Sequence, residues 1–192
     1  MKINWEITLP SLAHRSREQQ EAFADLFERH KNLVYRTALL ILGEPAEAEE
    51  ALQEIFVLVY KSLASYDPGK GAFTTWLHRI TVNYCLSVRR KRRVAQQPLD
   101  GDCSALVGET MEASLAERSE KEGLRRVLGE LSDKQRAVLV LRYYWEMPYA
   151  EISQVLKIPL GTVKSRLDLA LRTLRGRLLG EAENHPEEEV AK

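Results

Sequence analysis

The stretch IPLGTVKSRLDLALR, residues 158–172, begins with proline and glycine, which are poor helix formers, and then continues with helical periodicity. Pro159 suits a first helical position, because a missing N–H costs nothing there and φ is already set. Gly161 removes a side chain from the first turn, so another molecule can approach the backbone N–H groups and the positive end of the helix dipole. The sequence therefore predicts a helix whose N-terminus can accept a phosphate group.

This helix has two chemically different faces when its residues are placed about 100° apart. One stripe is apolar and consists of Val163, Leu167, Ala170, Leu171 and Leu174. The opposite face with its flanks is hydrophilic and mostly cationic, and consists of Gly161, Thr162, Lys164, Ser165, Arg166, Asp168, Leu169 and Arg172. The apolar stripe suits packing on a core, which leaves a donor-rich face for recognition.

The segment just upstream predicts a partner helix. In YAEISQVL, residues 149–156, four apolar side chains share one side, and only two residues separate the segment from Pro159. Two helices on a tight turn, the second with a polar reading face, indicate a helix-turn-helix. An ordinary helical hairpin is the alternative for this stretch taken alone.

Composition is typical of a globular protein whose positive charge is unevenly distributed. The 192 residues are 44% hydrophobic and 29% charged, with a formal net charge of zero, so one or two domains can have cores of their own. A neutral chain is not a bulk polycation, and nucleic-acid contact then depends on local charge. Residues 87–93, SVRRKRR, are a basic run, whereas residues 181–192 are acidic. The basic run is a candidate for phosphate binding, with a solvated helix end as the alternative.

Neither a membrane span nor a secretion signal is predicted. The sequence contains no apolar run of about 18 residues, and the segment MKINWEITLP has acidic and polar residues where a signal peptide has an apolar core. We therefore expect a cytoplasmic protein without membrane insertion. Cys85 and Cys103 lack metal-ligand spacing and are expected to be structural in a reducing compartment.

Periodicity predicts an all-α chain with two small helical domains joined by a flexible linker, the second domain ending in the helix-turn-helix. The first domain, residues 17–93, has a helix from about Arg17 to Leu42 and a second helix opened by Pro45. Its third helix, which Thr74 or Thr75 can cap, finishes in the basic run.

The remaining boundaries follow from composition and capping signals. Residues 94–114 mix Pro, Gly, Asp and Ser without periodicity, which predicts the linker. The second domain, residues 115–180, begins with a helix that runs to Leu131. Ser132, with Gln135 three residues later, predicts a capping box at the start of the next helix.

Groups suited to catalysis are not gathered anywhere in the sequence. The four histidines are scattered and lack zinc-site spacing, and DPGKGAF, residues 67–73, lacks the spacing of a phosphate loop. Glu49, Glu50 and Glu54 cluster at helical spacing on a helix surface, where solvation or partner binding explains them better than acid–base catalysis. We therefore expect a protein that is not an enzyme and that uses no metal or cofactor.

Three blocks in sequence order resemble the two-domain extracytoplasmic-function group of the bacterial sigma-70 family. They are AEEALQEIF (48–56), SYDPGKGAFTTWLHRITVNYCLSVRRKRR (65–93) and LSDKQRAVLVLRYYWEMPYAEISQVLKIPLGTVKSRL (131–167). The resemblance covers about residues 20–178. It implies a detachable subunit that directs core RNA polymerase to promoters, with a first domain for polymerase and the minus 10 element and a second for the minus 35 element.

The resemblance assigns residues to three surfaces. Docking on a coiled coil of the polymerase β′ subunit falls on Glu50, Gln53, Glu54 and Phe56, although core packing is an equal alternative for Phe56. Recognition of the single-stranded minus 10 element, with a flipped base, falls on the loop 66–73 and the third helix, at Asp67, Lys70, Arg79, Asn83, Arg89, Arg90, Lys91, Arg92 and Arg93. Minus 35 contacts fall on Gly161, Thr162, Lys164, Ser165, Arg166, Asp168 and Arg172.

The implied partners are core RNA polymerase, through its β′ coiled coil and β subunit, and promoter DNA. An anti-sigma protein is a further candidate partner, since many members of the family are held inactive by one. Trp76 could stack on a base, but family-like packing favours a core role. This chain has Ser87 and Glu50 where aspartate is frequent or usual, and Asp168 and Leu169 where aromatic or basic residues are frequent. Its base preference therefore does not carry over from relatives.

Two other classes of protein share parts of this pattern. A conventional helix-turn-helix repressor or activator would bind duplex operators alone, but the N-terminal block has no evident dimerisation heptad or ligand pocket. An adaptor that uses helical surfaces without DNA would not require the sorted basic charge. The sigma-factor interpretation accounts for both features.

Overall fold

The fold comes from a computed structural model that describes residues 17–95 and 128–182. Residues 17–95 and residues 128–182 belong to two separate compact units. The described ranges consist of helices and turns without a strand, which confirms the all-α prediction. The predicted linker from residue 96 onward, the predicted helix up to residue 127, Cys103 and the acidic tail from residue 183 lie outside the described residues.

The first unit contains three long helices. They are α1 (Arg17–Leu42), α2 (Pro45–Ser62) and α3 (Phe73–Ala95), with short 3₁₀ turns at Leu63–Ser65 and Pro68–Lys70 between the last two. The first two helices have the predicted ends: α1 stops directly before Gly43, and α2 begins at Pro45, whose missing N–H costs nothing in a first turn.

The core of the first unit joins all three helices. Phe56 of α2 lies edge-on to Phe23 and Phe27 of α1, with ring centroids 6.3 and 4.7 Å apart. Leu77 and Val82 of α3 are fully buried. Each such side chain contributes about 1.5–3 kcal/mol of hydrophobic stabilisation, so this core fixes the helices that carry the first two predicted surfaces.

The start of α3 differs from the prediction. The helix begins at Phe73, and the carbonyl of Ala72 accepts its first helical bond from the N–H of Trp76 at 3.2 Å. Thr74 and Thr75 therefore lie inside the first turn and neither is the N-cap. The physical reason is local: Gly71, with φ of 149°, turns the chain directly upstream, and Phe73 packs on neighbouring aromatic rings.

The second unit contains α4 (Asp133–Leu139), which continues into a π-helical turn (Val140–Tyr144), and then α5 (Tyr149–Leu156) and α6 (Leu160–Ala182). The predicted capping box at the start of α4 is confirmed. The Ser132 N–H donates to Oε1 of Gln135 at 2.9 Å, and the Gln135 N–H donates to Oγ of Ser132 at 3.4 Å.

The π-helical turn leads into the start of α5. The N–H of Trp145 donates to the carbonyl of Val140, five residues back, at 3.2 Å. The Arg142 guanidinium donates to the carbonyl of Met147 at 3.3 Å and lies 5.1 Å from the ring centroid of Tyr149. These contacts fix the first residue of α5 against the end of the preceding helix.

The start of α6 also differs from the prediction by one residue. Pro159 precedes the helix, and its carbonyl accepts hydrogen bonds from the N–H groups of Thr162 at 2.9 Å and Val163 at 3.1 Å. Pro159 therefore holds the N-cap position, where a residue accepts the first intrahelical bonds without contributing helical φ and ψ. The first helical residue is Leu160.

Candidate nucleic-acid and polymerase interfaces

The turn between α5 and α6 is fixed by hydrogen bonds on both sides. Lys157 adopts a left-handed conformation with φ of 51° and ends α5. The Ile158 N–H donates to the carbonyl of Ser153 at 3.2 Å, and the Ser153 hydroxyl donates to the carbonyl of Ile158 at 2.6 Å. The helix-turn-helix is therefore a preorganised element, which suits a surface that must fit a rigid partner.

The two faces of α6 lie as the periodicity predicts. Val163, Leu167 and Ala170 are buried, whereas Leu171 and Leu174 at the edge of the stripe are half-buried. The predicted recognition residues lie on the other side. Thr162 and Arg166 are half-exposed, and the exposed positions are Gly161, Lys164, Ser165, Asp168 and Arg172.

The N-terminus of α6 is open to an approaching molecule. A Cβ atom built on Gly161 would meet no heavy atom within 4 Å, so the space beside the first turn is clear. The Thr162 N–H is already bonded to Pro159, which leaves the N–H groups of Leu160 and Gly161 as the first-turn donors that can face outward. This geometry fits a phosphate oxygen at the helix end.

Two of the predicted minus 35 residues form an ion pair. Nη2 of Arg172 lies 2.7 Å from Oδ2 of Asp168, one turn apart on the exposed face. The pair is surface-exposed and contributes little to stability. The carboxylate of Asp168 offsets part of the positive charge of Arg172 on this face.

The loop between α2 and α3 is held by its own side chains. Oδ1 of Asp67 accepts the N–H of Gly69 at 2.9 Å, and its Oδ2 lies 3.2 Å from Nζ of Lys70. The Tyr66 hydroxyl donates to the carbonyl of Gly71 at 3.1 Å. Asp67, predicted to contact DNA, therefore has both carboxylate oxygens engaged in shaping the loop.

An aromatic cluster of Tyr66, Phe73 and Trp76 supports this loop. The three ring centroids lie 5.3 to 5.5 Å apart, and His30 of α1 adds a fourth ring 5.0 Å from that of Phe73. Such aromatic pairs contribute about 0.5–1.5 kcal/mol beyond their buried area. Trp76 is thus engaged in packing, which agrees with the core role favoured from the sequence.

The outward side of α3 aligns three of the predicted DNA contacts. Arg79 is half-exposed, whereas Asn83 and Arg90 are exposed, and their spacing of four and seven residues puts them along one side of the helix. Lys91 and Arg93 are also exposed. This side combines an amide that can bond to a base edge with guanidinium groups suited to phosphates.

Two arginines of the basic run, which are predicted to contact phosphates, also contact the other helices of the first unit. Nη1 of Arg89 donates to the carbonyls of Ile41 at 3.1 Å and Leu42 at 3.2 Å, at the C-terminal end of α1. Nη1 of Arg92 lies 3.0 Å from Oε1 of Glu47 at the start of α2. The last carbonyls of a helix lack intrahelical donors, so a guanidinium there satisfies them and complements the dipole.

The predicted polymerase surface on α2 separates into exposed and buried residues. Glu50 and Glu54 are exposed and Gln53 is half-exposed, whereas the Phe56 side chain is 0% exposed within the aromatic core. Of the two alternatives for Phe56, the structure favours core packing. Burial, followed by the nearby carboxylates of Glu54 and Glu50, raises the pKa of Tyr84, which places this tyrosine of α3 beside the acidic surface.

Comparison with known proteins agrees with this arrangement of helices. Residues 26–94 match the family described as Sigma-70 region 2, and residues 127–176 match Sigma-70, region 4. The ECF RNA polymerase sigma factor SigW of Bacillus subtilis is 32% identical over 170 residues, which are 83% of this chain and 90% of that protein. The chain belongs to the extracytoplasmic-function group of the sigma-70 family. This sigma factor therefore directs promoter-specific initiation by RNA polymerase and is not an enzyme.

Other relatives and solved structures agree. The sigma factor is 32% identical over 163 residues to SigK of Mycobacterium tuberculosis, with 81% of this chain and 85% of that protein covered. CnrH, solved in complex with the cytosolic domain of CnrY, has 25% identity and a TM-score of 0.61 over 90% of this chain and 95% of that one. The sigma factor RpoE of Bartonella quintana, solved with the anti-sigma factor NepR, has 19% identity and a TM-score of 0.62, with 82% and 97% covered. The fold is thus shared.

Buried ionisable groups in the sigma factor are part of its core. His78 is 3% exposed, and burial lowers its pKa to about 4. Burial raises the pKa of the Cys85 thiol to about 12, so the thiol stays protonated and unreactive at neutral pH. Within residues 17–95 and 128–182, no cluster of His, Cys, Asp and Glu could hold a metal ion, and no helix is long and apolar enough to cross a membrane.

Sequence reasoning missed three structural residues of this sigma factor. Glu47 pairs with Arg92, 45 residues away, and His30 and Tyr66 pack around Phe73. Neither periodicity nor motif spacing reports contacts between different helices. A weak signal existed for the arginines, because their spacing of three residues puts Arg89 and Arg92 on one side of α3.

Proposed function

We propose that this sigma factor uses three separate surfaces, with residues 17–93 binding polymerase and the minus 10 element and residues 115–180 binding the minus 35 element. Residues 94–114 join the two domains. The protein acts in the cytoplasm, where core polymerase and the chromosome are located. The observation that carries the proposal is the arrangement of α6, which buries its apolar stripe and exposes a donor-rich face next to an open N-terminus.

The minus 35 surface divides its contacts between backbone and bases. The open first turn at Gly161, with Thr162 and Arg166 on its flank, binds phosphates and sets the register of α6 in the major groove. Lys164 and Ser165, which are exposed one turn further along, reach base edges. Phosphate contacts supply affinity without sequence information, whereas each good base contact contributes about 1–3 kcal/mol of discrimination.

The minus 10 surface consists of the shaped loop and the outward side of α3. Asn83 bonds to the edge of an extruded base, and Arg79, Arg90, Lys91 and Arg93 neutralise the phosphates of the single strand. Lys70, exposed at the loop, adds a further positive charge. Asp67 acts indirectly here, because it holds Gly69 and Lys70 in place rather than facing a phosphate.

The polymerase surface is the acidic side of α2. Glu50, Gln53 and Glu54 offer carboxylate and amide oxygens to arginines of the β′ coiled coil, and charge-assisted pairs of this kind are stronger than neutral hydrogen bonds. Phe56 supports this surface from the core, because its ring packs α2 against α1. The second domain contacts the β subunit of the same polymerase.

An anti-sigma protein is a further partner in this proposal. Two of the structures with the same fold were solved as complexes with a second protein: the sigma factor RpoE with the anti-sigma factor NepR, and CnrH with the cytosolic domain of CnrY. A protein that covers the acidic side of α2 would block polymerase binding without any change in the helices themselves. Such occlusion is a simple route to regulation.

The proposal is tested by transcription with purified components. We expect specific transcripts only when core polymerase and the sigma factor are combined. Arg166→Ala should weaken binding to strong and weak minus 35 sequences alike and reduce the salt slope by about one unit, since one fewer counterion is released. Lys164→Ala should instead compress the difference between sequences. Lys134→Ala, an exposed cation on α4, is the matched control and should change neither quantity.

One result would contradict the assignment of α6. If Arg166→Ala and Lys164→Ala both leave the salt slope and the promoter preference at the level of Lys134→Ala, the exposed face of α6 does not contact the minus 35 element.

A further inference from the structure

Leu169 is an exposed apolar residue in the middle of the outward face of α6. Its side chain is 55% exposed. On a helical projection it lies about 40° from Ser165 and about 60° from Arg172, and about 120° or more from the buried Val163 and Leu167. A leucine at this position adds nothing to the core of the domain, and it interrupts a face that is otherwise polar.

Four residues of this face, which is the face proposed to meet the minus 35 element, form one row along the helix. Ser165, Asp168, Leu169 and Arg172 are related as i, i+3, i+4 and i+7. Homeodomain recognition helices use the same spacing for the residues that reach base edges in the major groove. Leu169 is the tenth residue of α6, about 13.5 Å along the axis from Leu160, which is comparable with the major-groove width of about 12 Å.

The chemistry of Leu169 limits what it can recognise. A leucine side chain has no donor or acceptor, so it cannot bind a phosphate or a polar base edge. Asp168 and Arg172, which lie beside Leu169, form an ion pair at 2.7 Å, so their opposite charges offset each other around the leucine. The apolar group that an ordinary base pair offers in the major groove is the C5-methyl group of thymine.

From these observations, and resting on the proposed minus 35 surface, we propose that Leu169 selects a thymine in the minus 35 element by contact with its C5-methyl group. The contact excludes water from a methyl group on one side and from an exposed leucine on the other. It gives this sigma factor a base preference that a basic residue at the same position would not give.

The test uses holoenzyme assembled from the full chain and core polymerase. Binding to a promoter library randomised over the minus 35 element first identifies the preferred sequence. Each thymine of that sequence, on either strand, is then replaced by deoxyuridine, which removes the methyl group and leaves the hydrogen-bonding edge unchanged. At one position we expect binding to weaken about fourfold, the effect of one buried methyl group.

Variants at this position and a matched control locate the contact. Leu169→Ala holoenzyme should bind the thymine and deoxyuridine promoters equally, whereas Leu169→Met should retain most of the difference. Leu58→Ala also removes an exposed leucine, but from α2 in the first domain, and should retain the full difference. Circular dichroism checks that the variants stay folded, as expected for exposed positions.

The outcomes separate this inference from the proposed function. If the wild-type holoenzyme selects a minus 35 sequence without an enriched thymine, or if Leu169→Ala keeps the deoxyuridine penalty, the inference is wrong while the minus 35 surface stands. If the wild-type holoenzyme selects no sequence at all in this region, the proposed minus 35 surface fails, and the inference fails with it.

Discussion

Replacing Arg89 by alanine should destabilise the first domain rather than weaken DNA binding. The guanidinium of Arg89 donates to the carbonyls of Ile41 and Leu42 at 3.1 and 3.2 Å, and both of these residues are buried. A hydrogen bond to a charged group contributes about 1.5–3 kcal/mol. Because Arg89 is partly exposed and water can replace some of the loss, we expect Arg89→Ala to lower the free energy of unfolding by about 1–3 kcal/mol.

The measurement is thermal unfolding of the full chain, followed by circular dichroism. A loss of about 1 kcal/mol shifts the midpoint of a domain of this size by about 4–8 °C, so the transition of the first domain should move by roughly 4 to 24 °C. Arg90→Ala is the matched control, because Arg90 is the exposed neighbour on the outward side of α3. This control should keep its midpoint and show a shallower salt dependence of promoter binding.

Arg89→Ala should therefore lower the unfolding midpoint and keep the salt dependence of promoter binding, whereas Arg90→Ala should do the reverse. If Arg89→Ala unfolds at the wild-type temperature and instead lowers the salt slope as Arg90→Ala does, then Arg89 binds phosphate and its inward contacts are unimportant. Arg89→Lys refines the test, because lysine keeps the charge but ends in an ammonium group in place of the planar guanidinium, whose Nη1 donates to both carbonyls. We expect an intermediate midpoint for this variant.

Three further predictions concern polymerase binding, promoter opening and pH. Glu54→Arg reverses an exposed charge on α2 and should weaken association with core polymerase at unchanged helicity, whereas Glu28→Arg on α1 should not weaken it. If both variants bind core polymerase with equal affinity, the acidic side of α2 is not the docking surface. Asn83→Ala should reduce open-complex formation on duplex promoters more than it reduces polymerase binding, and a loss of polymerase binding alone would contradict the base-reading role. The pKa of His78 falls from 6.5 to about 4 on folding, so the unfolded chain binds this proton more tightly. The free energy of unfolding should therefore decline by at most about 3 kcal/mol as pH falls from 6.5 to 4. A His78→Gln variant with the same dependence of stability on pH as the wild type would refute this cause.

Helix positions and helix faces could be predicted from the sequence because both depend on local patterns. The ends of α1 and the capping box of Ser132 and Gln135 follow from residues within one turn of each other. The orientation of α6 follows from the spacing of its apolar residues, since only one face of an amphipathic helix can be buried. The family resemblance then supplied the function, which the pattern alone left open.

The residues that were predicted less well are those whose role depends on another helix. The run SVRRKRR reads as one basic segment, yet Arg89 and Arg92 contact α1 and α2 while Arg90 and Lys91 face solvent. Asp67 has the position of a binding residue, but its carboxylate holds the loop. Sequence spacing specifies which residues share a side of a helix, and tertiary packing decides what that side meets.

The Pro159 and Gly161 at the head of α6 can now be explained separately. Pro159 is not helical; its carbonyl accepts the N–H groups of Thr162 and Val163, so the residue ends the turn and starts the hydrogen-bond ladder. Gly161 is the helical residue with clear space beside it, and a larger side chain there would stand between the first-turn N–H groups and an approaching phosphate. Pro159 thus fixes where α6 begins, and Gly161 keeps the N-terminus of α6 accessible. Poor helix formers are tolerated at this end because the stability of α6 comes from its buried stripe, while the first turn stays open for the phosphate contact that we propose.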